Sequence, residues 1–292
     1  MLGSKRLAKL GHDEVQAFLN AKRDEKRTRG KHEKKLAPRT VHHLYRVLGT
    51  ALRWGVRKGY ITINPMLRVD APRIGKTEMT PLTPSQTAAL LDAAEAARDP
   101  LLGLWTVAAF TGARKSELLG LTWDDIDLEA GTLRIRPSTV RDVKTPRSRR
   151  TLDLAPDAVA ALAAHRDRQA FGRQALGEGY ADLGLVFASE RGTPLDQGNV
   201  TRRFKRALRR ADLPQTTRLH DLRHGVATML LEAGEPVPAV AEYLGHASPA
   251  VTMTVYAHAV PGASKRAAER LGSIIRNARA APEAETVTEA VV

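Results

Sequence analysis

The sequence predicts a mainly α-helical chain of two domains. A small all-helical domain is followed by a larger α+β domain with one small antiparallel sheet. Three observations carry that expectation. Apolar residues recur at helical spacing through most of the 292 residues. Short β-patterned runs at 132–136, 138–143 and 150–154 sit together in mid-chain, separated by turn-like or charged residues. Between them and the N-terminal helices, residues 70–84 hold Pro72, Gly75, Pro81 and Pro84 without apolar periodicity, as an interdomain linker does. The expected division is a helical domain over 1–72, a linker over 73–83, a second domain over 84–279 and a disordered tail over 280–292.

Each element has a local reason. Val15 to about Arg27 forms a short amphipathic helix with Val15, Phe18 and Leu19 on one face. Residues 22–39 carry nine Lys/Arg among Asp24, Glu25 and Glu33, with Gly30 and Pro38 as breakers, and read as a solvated loop. Thr40 caps the next helix; Val41, Leu44, Leu48, Leu52 and Val56 recur along it, and Gly59 stops it. Its other face carries His42, Arg46, Arg53 and Arg57, with Arg39 just ahead. That stripe is spaced to follow a phosphate backbone, and a solvated face is the rival reading. The second domain opens at Thr83-Pro84-Ser85-Gln86, a cap with proline at the first helical position and glutamine closing a capping box. Helices follow at about 101–110 and 114–120. After the strand runs come others at about 156–170, 196–211, 219–233, 236–244, 249–257 and 262–279.

Composition narrows the function. With 42% apolar and 27% charged residues the chain reads as soluble and globular. No run approaches the ~18 apolar residues of a membrane span. Met1 to Leu10 lacks an apolar core, so no secretory signal is expected and the chain reads as cytoplasmic. Cysteine is absent, which excludes disulfides, thiolate metal sites and cysteine nucleophiles. The net charge is +14, and residues 1–76 hold 19 Lys/Arg against 6 Asp/Glu, whereas 77–292 hold 27 against 26. A domain so basic attracts a polyanion, nucleic acid being the commonest, or serves as a solubilising tail.

Three clusters in the second domain carry chemistry. In Thr111-Gly112-Ala113-Arg114-Lys115-Ser116-Glu117-Leu118, Gly112 ends one helix and Arg114 starts the next, where amides and the dipole favour an anion. Arg114 could fork onto phosphate oxygens there, or be an ordinary surface residue. His220-Asp221-Leu222-Arg223-His224 opens a helix on which positions 220 and 223 share a face. His220 and His224 could form a metal pair, although no zincin glutamate and no third ligand is evident, so no metal is expected. In Leu244-Gly245-His246-Ala247-Ser248-Pro249, Gly245 ends one helix and Ser248-Pro249 starts another. His246 thus lies on a tight turn. Tyr256 lies about two turns further on, as a packing residue or a nucleophile.

Arg114 with Glu117, His-x-x-Arg at 220–223, Leu-Gly-His at 244–246 and Tyr256 ten residues later resemble, in this order and spacing, the tyrosine recombinase (phage integrase) family. The match spans the second domain, and the first is similar to that family's core-binding domain. The resemblance implies a fold of the DNA breaking-rejoining enzyme type with a SAM-like helical domain. It implies a site-specific DNA recombinase that works through a 3′-phosphotyrosine, Tyr256 being the nucleophile. Arg114 and Arg223 would clamp the phosphate oxygens, and His220 would help remove the tyrosine proton. His246 would bond the phosphate or position Tyr256, and Glu117 would orient Arg114 or His220. The family's hairpin lysine corresponds best to Lys144, which would protonate the leaving 5′-oxygen. Lys115 is a competitor, set aside because it would point away from Arg114. Arg147 and Arg149 would touch the DNA backbone.

Ester energy is kept in the tyrosyl link, so neither ATP nor metal is required and no cofactor is expected. The implied partners are duplex DNA, gripped between the two domains, and further copies forming a tetramer on two sites. An accessory DNA-bending or directionality protein is a further possibility, and the localisation would be nucleoid-associated. Many such integrases carry an arm-binding domain ahead of the core-binding helices. This sequence starts about where that domain would have ended, so the expectation is a chain short by nature or truncated. A type IB topoisomerase shares the same residue logic, and a non-catalytic DNA-binding remnant is the reading from outside enzymes.

Overall fold

The computed structural model describes residues 2–29, 32–75, 81–136, 149–246, 248, 250, 252, 253, 271–273 and 276. The chain divides into two compact units, Met1–Glu78 and Met79–Val292.

The first unit is built on two helices, α1 (His12–Asp24) and α2 (Pro38–Arg57). Glu14 starts α1 by accepting the Gly11 N–H at 2.8 Å, which satisfies one of the amides a helix start leaves open. Val15 and Leu19 of α1, Val41 and Leu52 of α2, and Met66 and Val69 close one small core. Two sequence expectations are corrected here. Helix α2 begins at Pro38 with Ala37 as its cap, not at Thr40. Proline breaks a helix interior, but at the first position its missing N–H costs nothing and its φ is already helical. Part of the basic 22–39 stretch is not a loop but an antiparallel hairpin, β1 (Lys26–Arg29) with β2 (His32–Lys35). Lys26 pairs with Glu33 at 3.3 Å, and Lys35 with Asp24 at 3.1 Å. Arg39, Arg46, Arg53 and Arg57 all lie on the exposed side of α2, with His42 half-buried beside them.

The second unit is organised around α4 (Leu102–Thr111), whose charge-free sequence lets it be buried on nearly every side. Around its core lie α3 (Pro84–Ala96), α6 (Pro156–Leu176), α7 (Gln197–Arg210) and α8 (Leu219–Glu232). Trp105, Leu104, Leu162, Phe187, Phe204 and Leu208 fill the space between them. The predicted capping box of α3 forms: the Thr83 N–H donates to the Gln86 side chain at 3.0 Å, and Thr83 Oγ1 accepts the Gln86 N–H at 3.2 Å. A short helix α5 (Lys115–Leu118) follows α4, and α9 (Val237–Leu244) packs on α8 through Val226, Leu231, Val240 and Leu244.

The described sheet has three antiparallel strands in the order β3 (Ile126–Asp127), β4 (Thr132–Ile135), β5 (Arg150–Asp153). Buried Leu133 faces buried Leu152, and Ile135 faces Arg150. Strand β3 is too short for the alternation that identified the others, and the expected run at 138–143 lies outside the described residues. So do most of the helices expected at 249–257 and 262–279 and the whole 280–292 tail, although 252–253 and 271–273 are helical. Among the described residues no helix is long and apolar enough to cross a membrane.

Candidate active site

Two helix ends make the frame of the site. Helix α4 ends at Gly112 with φ 59°, and α9 ends at Gly245 with φ 67°, the left-handed conformation that terminates a helix and that glycine adopts without strain. A Cβ on Gly112 would lie 2.6 Å from Leu244 Cδ2, so the α4 turn lies directly against the end of α9. Helix ends leave carbonyls without intrahelical partners and carry partial negative charge.

Three arginines from three different elements meet that charge. Arg150 of β5 donates through Nε to the Tyr243 carbonyl at 2.9 Å. Arg223 of α8 donates to the Leu244 carbonyl at 2.5 Å and the Gly112 carbonyl at 2.9 Å. Arg114, the residue that caps α5, donates to the Gly245 carbonyl at 2.9 Å. Three consecutive carbonyls at the end of α9 are thus each taken by a different guanidinium, immediately before His246.

Glu117 is the carboxylate that faces this group. It accepts the Arg114 N–H at 2.8 Å, Arg114 Nη1 at 2.6 Å and Arg150 Nη2 at 3.2 Å. Burial pushes its carboxyl up, but the Arg150 charge and the hydrogen bonds from Arg114 and Arg150 outweigh that and hold it below the ordinary carboxylate range. Arg223 is only 3% exposed. Burial, and then the Arg114 charge, bring it down to about 9, with Glu117 opposing. Three guanidiniums around one carboxylate leave this spot strongly positive.

The imidazoles are neutral at ordinary pH. His246 is lowered to about 4 by burial and then by Arg223 and Arg114. Its Nδ1 lies 2.7 Å from Oγ1 of fully buried Thr252, and Nε2 has no hydrogen-bond partner among the described residues. His220 reaches solvent on one side; desolvation on the other, then His224 and Arg223, lower it as well. The His220 and His224 rings meet edge to face with centroids 5.1 Å apart. Among the described residues no group of three or more His, Cys, Asp or Glu is arranged to hold a metal ion.

The structure therefore brings Arg114, Glu117, Arg223 and His246 together, with His220 close enough to Arg223 and Arg114 to feel their charges. Lys144, Arg147 and Tyr256 lie outside the described residues, and Arg149 is exposed just ahead of β5. Helix α5 is a single turn, and the Arg114 N–H is taken by Glu117, so that amide is not available to an anion. Sequence reasoning missed Arg150, which looks like one more surface cation after Arg147 and Arg149. It missed Thr252, whose partner is six residues away. It also passed over the face of α7, where Arg202, Arg206, Arg209 and Arg210 are exposed opposite buried Val200, Phe204, Ala207 and Leu208. That alternation of apolar and basic positions was readable.

Residues 81–262 match the phage integrase family. The chain is 30% identical over 262 residues to a protein named tyrosine recombinase XerC-like from Caldanaerobacter subterraneus subsp. tengcongensis, covering 81% of this chain and 66% of the relative. It is 31% identical over 271 residues to an integrase of Streptomyces ambofaciens, covering 87% of this chain and 66% of the relative. The chain thus spans just under two thirds of the length of both. Among solved structures, the Tn1549 transposon integrase in complex with transposon right end DNA superposes with a TM-score of 0.75 at 22% identity, over 93% of this chain and 88% of that one. A lambda integrase tetramer bound to a Holliday junction gives 0.57 at 24% identity, over 83% and 66%. These likenesses define an integrase-type fold. The chain belongs to the phage integrase family of tyrosine recombinases.

Proposed function

We propose that this chain is a site-specific DNA recombinase that cuts and rejoins duplex DNA through a 3′-phosphotyrosine on Tyr256. The observation that carries this reading is the convergence of Arg114 and Arg223, with neutral His246 and His220, on one strongly positive spot.

Attack by a tyrosine on a phosphodiester meets three obstacles. Forming phenolate at pH 7 from a group of pKa ~10 costs about 4 kcal/mol. Charge grows on the non-bridging oxygens, and the departing 5′-oxygen needs a proton. His220, held neutral, is ready to accept the phenolic proton. Arg114 and Arg223 are fixed in advance by main-chain carbonyls and Glu117, so they stabilise the growing charge without reorganising. Neutral His246 would bond a phosphate oxygen through Nε2. Lys144 would protonate the 5′-oxygen, giving a free 5′-hydroxyl and the tyrosyl ester. Reversal of the same steps rejoins the strand, with neither ATP nor metal consumed.

Duplex DNA would be held by Arg39, His42, Arg46, Arg53 and Arg57 in the first unit. Arg147, Arg149 and the exposed cations of α7 would hold it in the second. Assembly into a tetramer on two sites belongs to the same reading.

The test is to incubate the protein with sheared DNA of its source organism, without metal or ATP, and quench in detergent. Sequenced 3′-linked fragments from the wild type but not from Tyr256→Phe, sharing one sequence at the link, are expected. DNA binding by both proteins with adduct from neither would overturn the reading.

A further inference from the structure

The three arginines that grip the end of α9 are not equivalent. Arg114 and Arg223 are accounted for by the proposed chemistry, but Arg150 is not. Its side chain is 7% exposed, less than many apolar residues of the same unit. Burying a guanidinium costs several kcal/mol unless its donors are paired, and this one is only partly paired. Nε goes to the Tyr243 carbonyl at 2.9 Å and Nη2 to Glu117 at 3.2 Å, while Nη1 is buried with no hydrogen-bond partner among the described residues. A Cβ on Gly245 would lie 2.6 Å from that Nη1, so the guanidinium is pressed against the turn that presents His246. Simple stability would be served as well by an apolar residue of similar volume.

Arg150 is the first residue of β5, a strand hydrogen-bonded to β4. The residues between those strands in the sequence, 136–149, include Lys144. The guanidinium therefore ties three things to one point: the hairpin strand, the carboxylate that aligns Arg114, and the turn before His246.

We propose that Arg150 is a positioning residue for the transesterification site, tying Glu117 and the Tyr243–Gly245 turn to the start of β5. It touches no reacting atom. This rests on the reading of the site given above. A lysine there keeps the charge but cannot bond the carbonyl and the carboxylate through a planar fork.

The experiment compares wild type, Arg150→Gln and Arg150→Lys on a nicked suicide duplex carrying the target site. Single-turnover cleavage rate and DNA Kd are measured separately, with amide hydrogen exchange of the free proteins alongside. Misplacement of about 1 Å can lower a rate ~10²-fold, so R150Q is expected to cleave at least ~10-fold more slowly with Kd unchanged, and R150K to fall between. Exchange is expected to rise at 150–153 and 243–246 and not elsewhere. Unchanged cleavage in R150Q, or a Kd that weakens in step with the rate, overturns the proposal. So does exchange that rises uniformly in both variants, since Arg150 would then be a general core residue. Hydrogen exchange needs no DNA: if wild type itself forms no adduct, the cleavage reading fails, and local or absent change at 243–246 still decides for or against Arg150.

Discussion

At the scale of single residues the site depends on charges the fold has gathered against their own preference. Arg223 is the extreme case, buried, next to another guanidinium, and lowered to about 9. Arg223→Lys keeps a cation but cannot span both the Gly112 and Leu244 carbonyls. Losing one fixed donor to a developing charge typically costs ~10²–10³-fold in rate, and single-turnover cleavage by R223K should fall by about that much. The histidines set the pH response. His165, His220, His224 and His246 all have folded pKa values below their ordinary 6.5. The unfolded chain therefore binds more protons, and stability rises with pH until about 6.5 and then levels. Urea midpoints should drop as pH falls from 6.5 toward 4, and His246→Gln should flatten that slope. Glu117 adds stability that is present above its ordinary 4.5 and lost below, as pH falls through its lower folded value. Arg114, His220, Arg223 and His246 were legible only in combination, through the family resemblance that their order and spacing carry, since each short cluster alone reads equally well as surface or packing. Arg150 was not, because only the packing of β5 against α9 and Glu117 distinguishes it from the surface cations beside it.

At the scale of elements, the two glycine-ended helices do the positioning. Gly112→Ala would force a left-handed alanine, which costs about 1–3 kcal/mol, and would push a methyl into Leu244 and Val226. The Gly112 carbonyl held by Arg223 would move with it. Chemical denaturation should register the loss of stability, and cleavage should fall further than the loss of folded protein accounts for. A retained rate per folded molecule would show that the turn's exact path is unimportant. The α3 capping box and the apolar spacing of α2, α7 and α8 were readable because they are local. The β1–β2 hairpin was not: its residues are nearly all charged, without the apolar alternation that marks a strand, and only main-chain pairing and ion pairs such as Lys26–Glu33 reveal it. The start of α2 was misread for a different reason, since Pro38 opens a helix at one position and breaks it at any other.

At the scale of the whole molecule, the charge is divided as sharply as the fold. The first 76 residues carry nearly all of the excess of cations over anions. Under the proposed function that unit supplies sequence-independent attraction while the second supplies chemistry. Each phosphate contact removed should lower the slope of log Kd against log salt by about 1. Arg46→Ala and Arg53→Ala together should therefore flatten it by about 2 while leaving the cleavage rate of saturated complex unchanged. An undiminished slope would mean that the stripe on α2 is merely solvated. The boundary between the two compact units, at Glu78 and Met79, falls within the 73–83 stretch that the prolines and Gly75 mark in the sequence. The arrangement inside the second unit was less legible: α4 was identified as an apolar helix at about 101–110, but with no charged residue along it the sequence does not say which neighbour covers which side.

The knot of arginines around Glu117 has a thermodynamic corollary. Folding draws Arg114, Arg150 and Arg223 together with one carboxylate to answer them, so any small anion that fits there binds the folded chain and not the unfolded one. Such an ion raises stability by RT ln(1 + [L]/Kd). Sulfate or inorganic phosphate should then raise the melting temperature more than chloride does at equal ionic strength, and the difference should shrink in Arg223→Lys. Under the proposed function, the phosphodiester would supply that counter-charge on binding.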